Sequence, residues 1–118
     1  MSIEAFWCLS FHSNNHNIPE NAGFGVVIFE SGRVFGGDSN FYYNGTYLLN
    51  GGNITAKVRV KRFAAGMPSI TGLDDYVLII GGLSKGSYND DEFMVDGHVE
   101  NVPQAKVYVG FKRIENLP

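Results

Sequence analysis

Phe41-Tyr-Tyr-Asn-Gly-Thr-Tyr-Leu-Leu-Asn-Gly-Gly-Asn-Ile-Thr-Ala-Lys-Val-Arg-Val-Lys-Arg-Phe63 is two alternating runs joined by a glycine pair. Gly51 and Gly52 supply the positive φ angles of a two-residue hairpin turn, which sets Asn50 opposite Asn53 and Leu49 opposite Ile54. Because side chains alternate along a strand, the faces follow directly. One face collects Phe41, Tyr43, Gly45, Tyr47 and Leu49 across from Ile54, Ala56, Val58 and Val60. The other collects Tyr42, Asn44, Thr46, Thr55, Lys57, Arg59 and Lys61. The first face is apolar and predicts a core. Gly45 falls on that face, roughly opposite Val58, where a missing side chain lets a strand bend at a barrel corner.

The same period extends outward in both directions. Ile3, Ala5, Trp7, Leu9 and Phe11 alternate with Glu4, Cys8, Ser10 and His12, so Trp7 is expected to plug one end of a core. At the other terminus Ala105, Val107, Val109 and Phe111 point in while Lys106, Tyr108 and Lys112 point out. Strands are predicted over 3–12, 23–30, 33–37, 41–50, 53–63, 76–83, 92–101 and 104–114, with no convincing helix between them. Eight consecutive short strands with tight turns predict a single domain over 1–118, an eight-stranded antiparallel up-and-down barrel.

Composition agrees with one compact domain. The chain has 118 residues, 44% of them hydrophobic and 18% charged, with 15 glycines and a formal net charge of −3. A chain of that length buries roughly two thirds of its unfolded surface and needs no staples. The single cysteine, Cys8, excludes an internal disulfide framework and fits a reducing compartment. The mild acidity argues against direct nucleic-acid binding, which normally needs a basic face. No apolar run reaches the roughly 18 residues of a membrane helix, and Met1 to Leu9 lacks the basic start of a secretory signal. A cytoplasmic protein without membrane contact is the expectation.

Catalytic chemistry finds little to stand on. No serine has the glycine-flanked elbow of a hydrolase nucleophile, Cys8 lies mid-strand, and His12, His16 and His98 lack ligand spacing with a carboxylate. Gly23-Phe-Gly25 begins like a dinucleotide fingerprint but has Ile28 where the third glycine belongs. Gly81 to Gly86 has phosphate-loop glycine spacing but is followed by Ser87 instead of lysine. Asp90, Asp91, Glu92 and Asp96 lack the order of a calcium loop. The expectation is a non-enzyme with no catalytic residues, no metal and no cofactor.

Three groups are candidates for binding. If Ser31 and Gly32 form a turn, Glu30 faces Arg33, and Phe24, Val26, Ile28 and Phe35 share the outward side of a hairpin whose inward side is apolar as well. A hairpin apolar on both faces needs a second hydrophobic neighbour. That neighbour is either another subunit or partner, or else a loop, or the segment Ala64 to Leu73, folded over it. Lys57, Arg59 and Lys61 form a basic stripe that either docks an acidic partner or serves as a solvated outer face. Tyr43 and Tyr47, with Trp7, turn polar-tipped rings inward. They line either a cavity for a small apolar ligand or a filled core.

The segment Gly25-Val-Val-Ile-Phe-Glu-Ser-Gly-Arg-Val-Phe-Gly-Gly-Asp38, with Tyr42-Tyr-Asn-Gly45, Val58-Arg-Val-Lys-Arg-Phe63 and Gly66-Met-Pro-Ser69, resembles the GrlR-like proteins. These are lipocalin-like barrels named for a negative regulator of bacterial type III secretion. The resemblance implies a barrel that forms a homodimer, and a regulator that sequesters a transcriptional activator by protein contact. It also marks Arg33, Gly36, Gly37 and Asp38 as structural. In the family the activator contact lies on an acidic turn; the matching turn here, 50–53, is uncharged. The expected function is a non-enzymatic regulatory protein acting through protein–protein contact. The alternative is a binding protein or sensor for a small apolar ligand in the barrel.

Overall fold

A computed structural model describes residues 3–12, 24–83 and 91–118. Eight strands follow one another: β1 (Ala5–His12), β2 (Phe24–Glu30), β3 (Arg33–Gly37), β4 (Phe41–Asn50), β5 (Asn53–Arg62), β6 (Asp75–Leu83), β7 (Glu92–Val99) and β8 (Val102–Asn116). Each pairs antiparallel with its sequence neighbour, and β1 pairs with β8 to close the barrel. Closure removes every strand edge, which otherwise templates aggregation.

The turns explain why neighbours in sequence are neighbours in space. Ser31 and Gly32 both take positive φ, 51° and 79°, as do Gly51 and Gly52 at 61° and 83°. That is the primed turn whose twist matches its flanking strands. Glu30 pairs with Arg33, Leu49 with Ile54 and Gly45 with Val58, as the hairpin spacing requires. One turn comes earlier than its sequence suggests. Strand β8 starts at Val102, and the reversal is Glu100–Asn101, with Asn101 at φ 67°. Asparagine tolerates the left-handed conformation, so this turn needs no glycine.

Inward side chains make one apolar core in which Trp7, Phe29, Ile54, Val27, Val60, Val95 and Val109 are the largest fully buried groups, and no polar or charged described residue is buried. Leu49 departs from the inward expectation. It is 38% exposed and Leu48 is 73% exposed, although Ile54, the cross-strand partner of Leu49, is fully buried.

The barrel has two distinct ends. Ile3, Ser31–Gly32 and Gly51–Gly52 lie at the end where β1, β3 and β5 start. The turn at 38–40 and the long connection 63–74 lie at the opposite end. That connection is tied down. Arg62 donates from Nε to Asp74 at 2.8 Å and from its terminal nitrogens to the carbonyls of Ala64 and Met67, both at 3.0 Å. Its guanidinium also lies 4.5 Å from the Phe41 ring centroid. The Phe63 amide donates to the Asn40 carbonyl at 2.9 Å, so the connection lies across the end of the barrel.

Candidate functional site

The lumen comes first, because a ligand carrier needs it open. Trp7 meets Phe29 and Phe93 edge to face, with centroids 6.1 and 5.0 Å apart. Phe29 in turn meets Tyr47 at 5.0 Å and Phe111 at 5.4 Å, and Phe93 stacks on Phe111 at 4.9 Å. These four rings and Trp7 fill the end at which β1 starts. The indole Nε1 donates to the Ile3 carbonyl at 2.8 Å, and Arg113 lies 4.9 Å from the Trp7 ring centroid. Trp7 therefore plugs one end, as its spacing predicts.

Trp7, Tyr43 and Tyr47 do not share a cavity. Trp7 and Tyr47 belong to the packed cluster, whereas Tyr43 points to the opposite end and meets Phe11 at 5.8 Å. The central void between Leu9, Val27, Val34, Val58 and Tyr43 amounts to about 30 Å³ and is wholly apolar. Cavities that bury small organic ligands usually measure about 300–1,000 Å³. Side chains fill this lumen, the outcome expected for an eight-stranded barrel of small bore.

Among the described residues, room beside the packed lumen remains at the end crossed by 63–74. There Phe11, Phe24, Phe41, Tyr43 and Tyr76, with Asp38, Asn40, Ser69 and Ile70, line an open-sided pocket of about 160 Å³. Asp38 builds the turn beneath it: Oδ1 accepts the amides of Asn40 and Phe41 at 2.9 and 2.8 Å, and Oδ2 accepts the Tyr43 hydroxyl. Asp38, which the resemblance marks as structural, fixes the chain reversal at 38–40. The missed feature is that the same carboxylate satisfies the inward phenol of Tyr43.

Burial pushes the Tyr43 phenol far above its ordinary range, helped by its bond to Asp38 and by that carboxylate's charge. Burial also raises Tyr76 to about 12, opposed by hydrogen bonds to Thr71 and Ser69, with Asp38 adding to the rise. Tyr47 is raised by burial, which a hydrogen bond from the Gly32 backbone opposes. Above pH of about 10 an unfolded chain releases phenol protons that the folded one keeps, so stability falls with rising pH from there and is independent of these groups below it. In an alkaline titration, phenolate absorbance should report some of the six tyrosines ionising reversibly near pH 10. Tyr43, Tyr47 and Tyr76 should ionise only with unfolding. Smooth titration of all six with the near-UV circular dichroism intact would contradict this burial pattern.

The basic stripe does face outward from β5, but it is not a free positive surface. Lys57 reaches Glu100 at 2.8 Å, and Arg59 donates to both oxygens of Asp75 at 3.0 and 2.8 Å. Lys61 is paired with Asp75 in register. The Arg59 bond lowers the Asp75 carboxyl, and Asp75 reciprocally raises Arg59. These exposed pairs contribute little to stability, yet they cancel the field an acidic partner would need. Extending β6 by one residue to Asp75 was the sequence signal for this, since antiparallel pairing then sets it opposite Lys61.

The outward side of the β2–β3 hairpin is open. Phe24 is 61% and Val26 46% exposed, while Ile28 and Phe35 are half-buried. Segment 63–74 lies at the barrel end, where Met67, Pro68, Ser69 and Ile70 line the same pocket as Phe24. Register adds two residues that sequence reading did not include: Phe6 pairs with Ile28, and Cys8 with Val26. Rows Phe6–Ile28–Phe35 and Cys8–Val26–Gly37–Tyr42 thus cross β1 to β4. Beside them lies a groove of about 440 Å³ lined by Cys8, Ser10, Phe24, Met94 and Gly110, among others.

Among the described residues no group of three His, Cys, Asp or Glu is placed to hold a metal. His12 Nε2 and Ser10 Oγ are 2.9 Å apart, a pair on the outer face of β1; His98 lies outward on β7, and His16, Gly86 and Asp90 lie outside the described residues. No helix of the described residues is long and apolar enough to cross a membrane. No protein-family model matches the chain, and no curated protein matches it.

Proposed function

We propose that this barrel is a non-enzymatic regulatory protein that works through protein–protein contact, and that a second copy of the chain is the first occupant of its apolar outer strip. The observation that carries this reading is the strip itself, running from Phe6 across Val26 and Ile28 to Phe35 and Tyr42 on the outside of a closed barrel. A sheet without edges cannot recruit a partner by adding a strand, so contact must go through outward side chains. The outer positions of β5 are polar or ion-paired; those of this strip are largely apolar. The adjoining groove gives the surface relief into which a partner's apolar side chain fits.

Other observations support the same reading. The charged outer positions on β5, Lys57, Arg59 and Lys61, are the reverse of the apolar band that a lipid-facing barrel presents. Cys8 is a free thiol, in keeping with a cytoplasmic setting. The resemblance to the GrlR-like proteins implies the dimer and the sequestering of a transcriptional activator. The uncharged turn at 50–53 moves the expected contact away from that turn and onto the strip.

Sedimentation at micromolar concentration should give twice the chain mass of 13.0 kDa. Val26→Lys with Ile28→Lys should return a single-chain mass with an unchanged barrel circular-dichroism spectrum. A DNA-binding regulator captured by the native protein and lost with that double variant would extend the strip to the regulatory partner. A native mass of one chain would remove the dimer.

A second reading, a binder of a small molecule, draws its support from the end cavity alone, since the lumen is packed.

A further inference from the structure

The end cavity combines three properties that select a chemistry. Its lining includes five aromatic residues, Phe11, Phe24, Phe41, Tyr43 and Tyr76. A carboxylate, Asp38, lies among them, and its bonds are to two amides and one phenol, all neutral. Among the described residues it has no cationic partner. Arg62, the guanidinium stacked on Phe41, is committed to Asp74 and to two carbonyls of the connection.

We infer that this cavity is a binding site for a small organic ammonium ion, held by Asp38 and by the faces of the surrounding rings. Aromatic faces carry negative charge density and attract cations, more strongly when water is excluded. An anionic ligand would face both the carboxylate and the ring faces. A hard metal ion needs about six or more oxygen ligands, which one carboxylate already engaged by three donors does not offer. An ammonium bearing carbon substituents satisfies both features at once, charge toward Asp38 and methyl or methylene groups against the rings. Size narrows the class: 160 Å³ is close to the roughly 150 Å³ of an engineered cavity that takes up benzene, so the ligand has about six to eight non-hydrogen atoms.

This inference deepens the small-molecule reading and leaves the protein-contact reading untouched. The test titrates the full chain with choline and, in parallel, with its neutral isostere in which carbon replaces the ammonium nitrogen. Two-dimensional amide NMR spectra follow Asn40, Phe41, Ser69 and Ile70. Choline should shift these amides and bind about tenfold more tightly than the isostere, and Asp38→Asn should abolish that preference. The comparison of the two ligands on the native chain stands even if the Asn variant fails to fold. Equal binding of both compounds would overturn the ammonium assignment while keeping a small-molecule site. No shift with either would overturn both.

Discussion

Trp7→Ala is expected to cost about 3–5 kcal/mol, a large share of the roughly 5–15 kcal/mol by which a domain of this size is stable. The ring is fully buried and touches Phe29 and Phe93 edge to face. Removing it leaves a cavity that neighbours on rigid strands cannot collapse to fill. It also leaves the Ile3 carbonyl without the indole donor it has at 2.8 Å. For a chain of this length the melting temperature should fall by about 10–20 °C. Trp7→Phe keeps an edge-to-face partner for Phe29 and loses only the hydrogen bond and part of the volume, so its loss should be under half as large. Urea denaturation of both variants checks the pair. A loss below about 1 kcal/mol for the alanine variant would mean that the lumen relaxes freely, and the filled-core account of this barrel would have to be given up.

The second large effect runs against the usual sign of its substitution. Gly→Ala at a compatible position stabilises by about 0.4–1 kcal/mol, because the unfolded chain loses freedom. Gly45→Ala should instead destabilise by about 3 kcal/mol, the upper end of overpacking costs. A Cβ there would lie 2.1 Å from the Lys57 carbonyl oxygen and 2.7 Å from the Val58 Cα. Both are backbone atoms held by the β4–β5 ladder, so no rotamer change relieves the overlap. Gly36 repeats the arrangement in the β2–β3 hairpin, with a Cβ 2.0 Å from the Val26 carbonyl oxygen. These two inward glycines let adjacent strands approach closely enough to curl the sheet into a ring. Gly81→Ala is the control: nothing lies within 4 Å of its Cβ and its φ is unremarkable, so it should be neutral or slightly stabilising. Hydrogen exchange across β4 and β5 should accelerate in the Gly45 variant and not in the Gly81 variant.

The two candidate surfaces on the outer face illustrate how register changes a reading. Along the chain, Lys57, Arg59 and Lys61 look like a cationic stripe, and Phe24, Val26, Ile28 and Phe35 look like one hairpin's apolar side. Across the chain, Glu100 and Asp75 are brought against the stripe, and Phe6 and Cys8 are brought beside the hairpin. The first surface is thereby cancelled and the second enlarged. Both changes come from neighbouring strands, so neither is visible within the segment that suggested the surface.

Local chemistry alone determined the eight strands, their antiparallel order, the inward and outward faces and the two primed turns. Side-chain alternation and turn conformation are properties of a few consecutive residues, and they are written wherever Gly51–Gly52 or Ser31–Gly32 interrupts an alternating run. Only the closed barrel decided that Trp7 and Tyr47 both pack on Phe29, that Asp38 answers the Tyr43 hydroxyl, and that residues 63–74 cross one end and leave a cavity there. Those outcomes depend on how far each strand is staggered when β1 meets β8, and stagger is fixed by summed packing around the whole ring. No single stretch of the chain contains that sum.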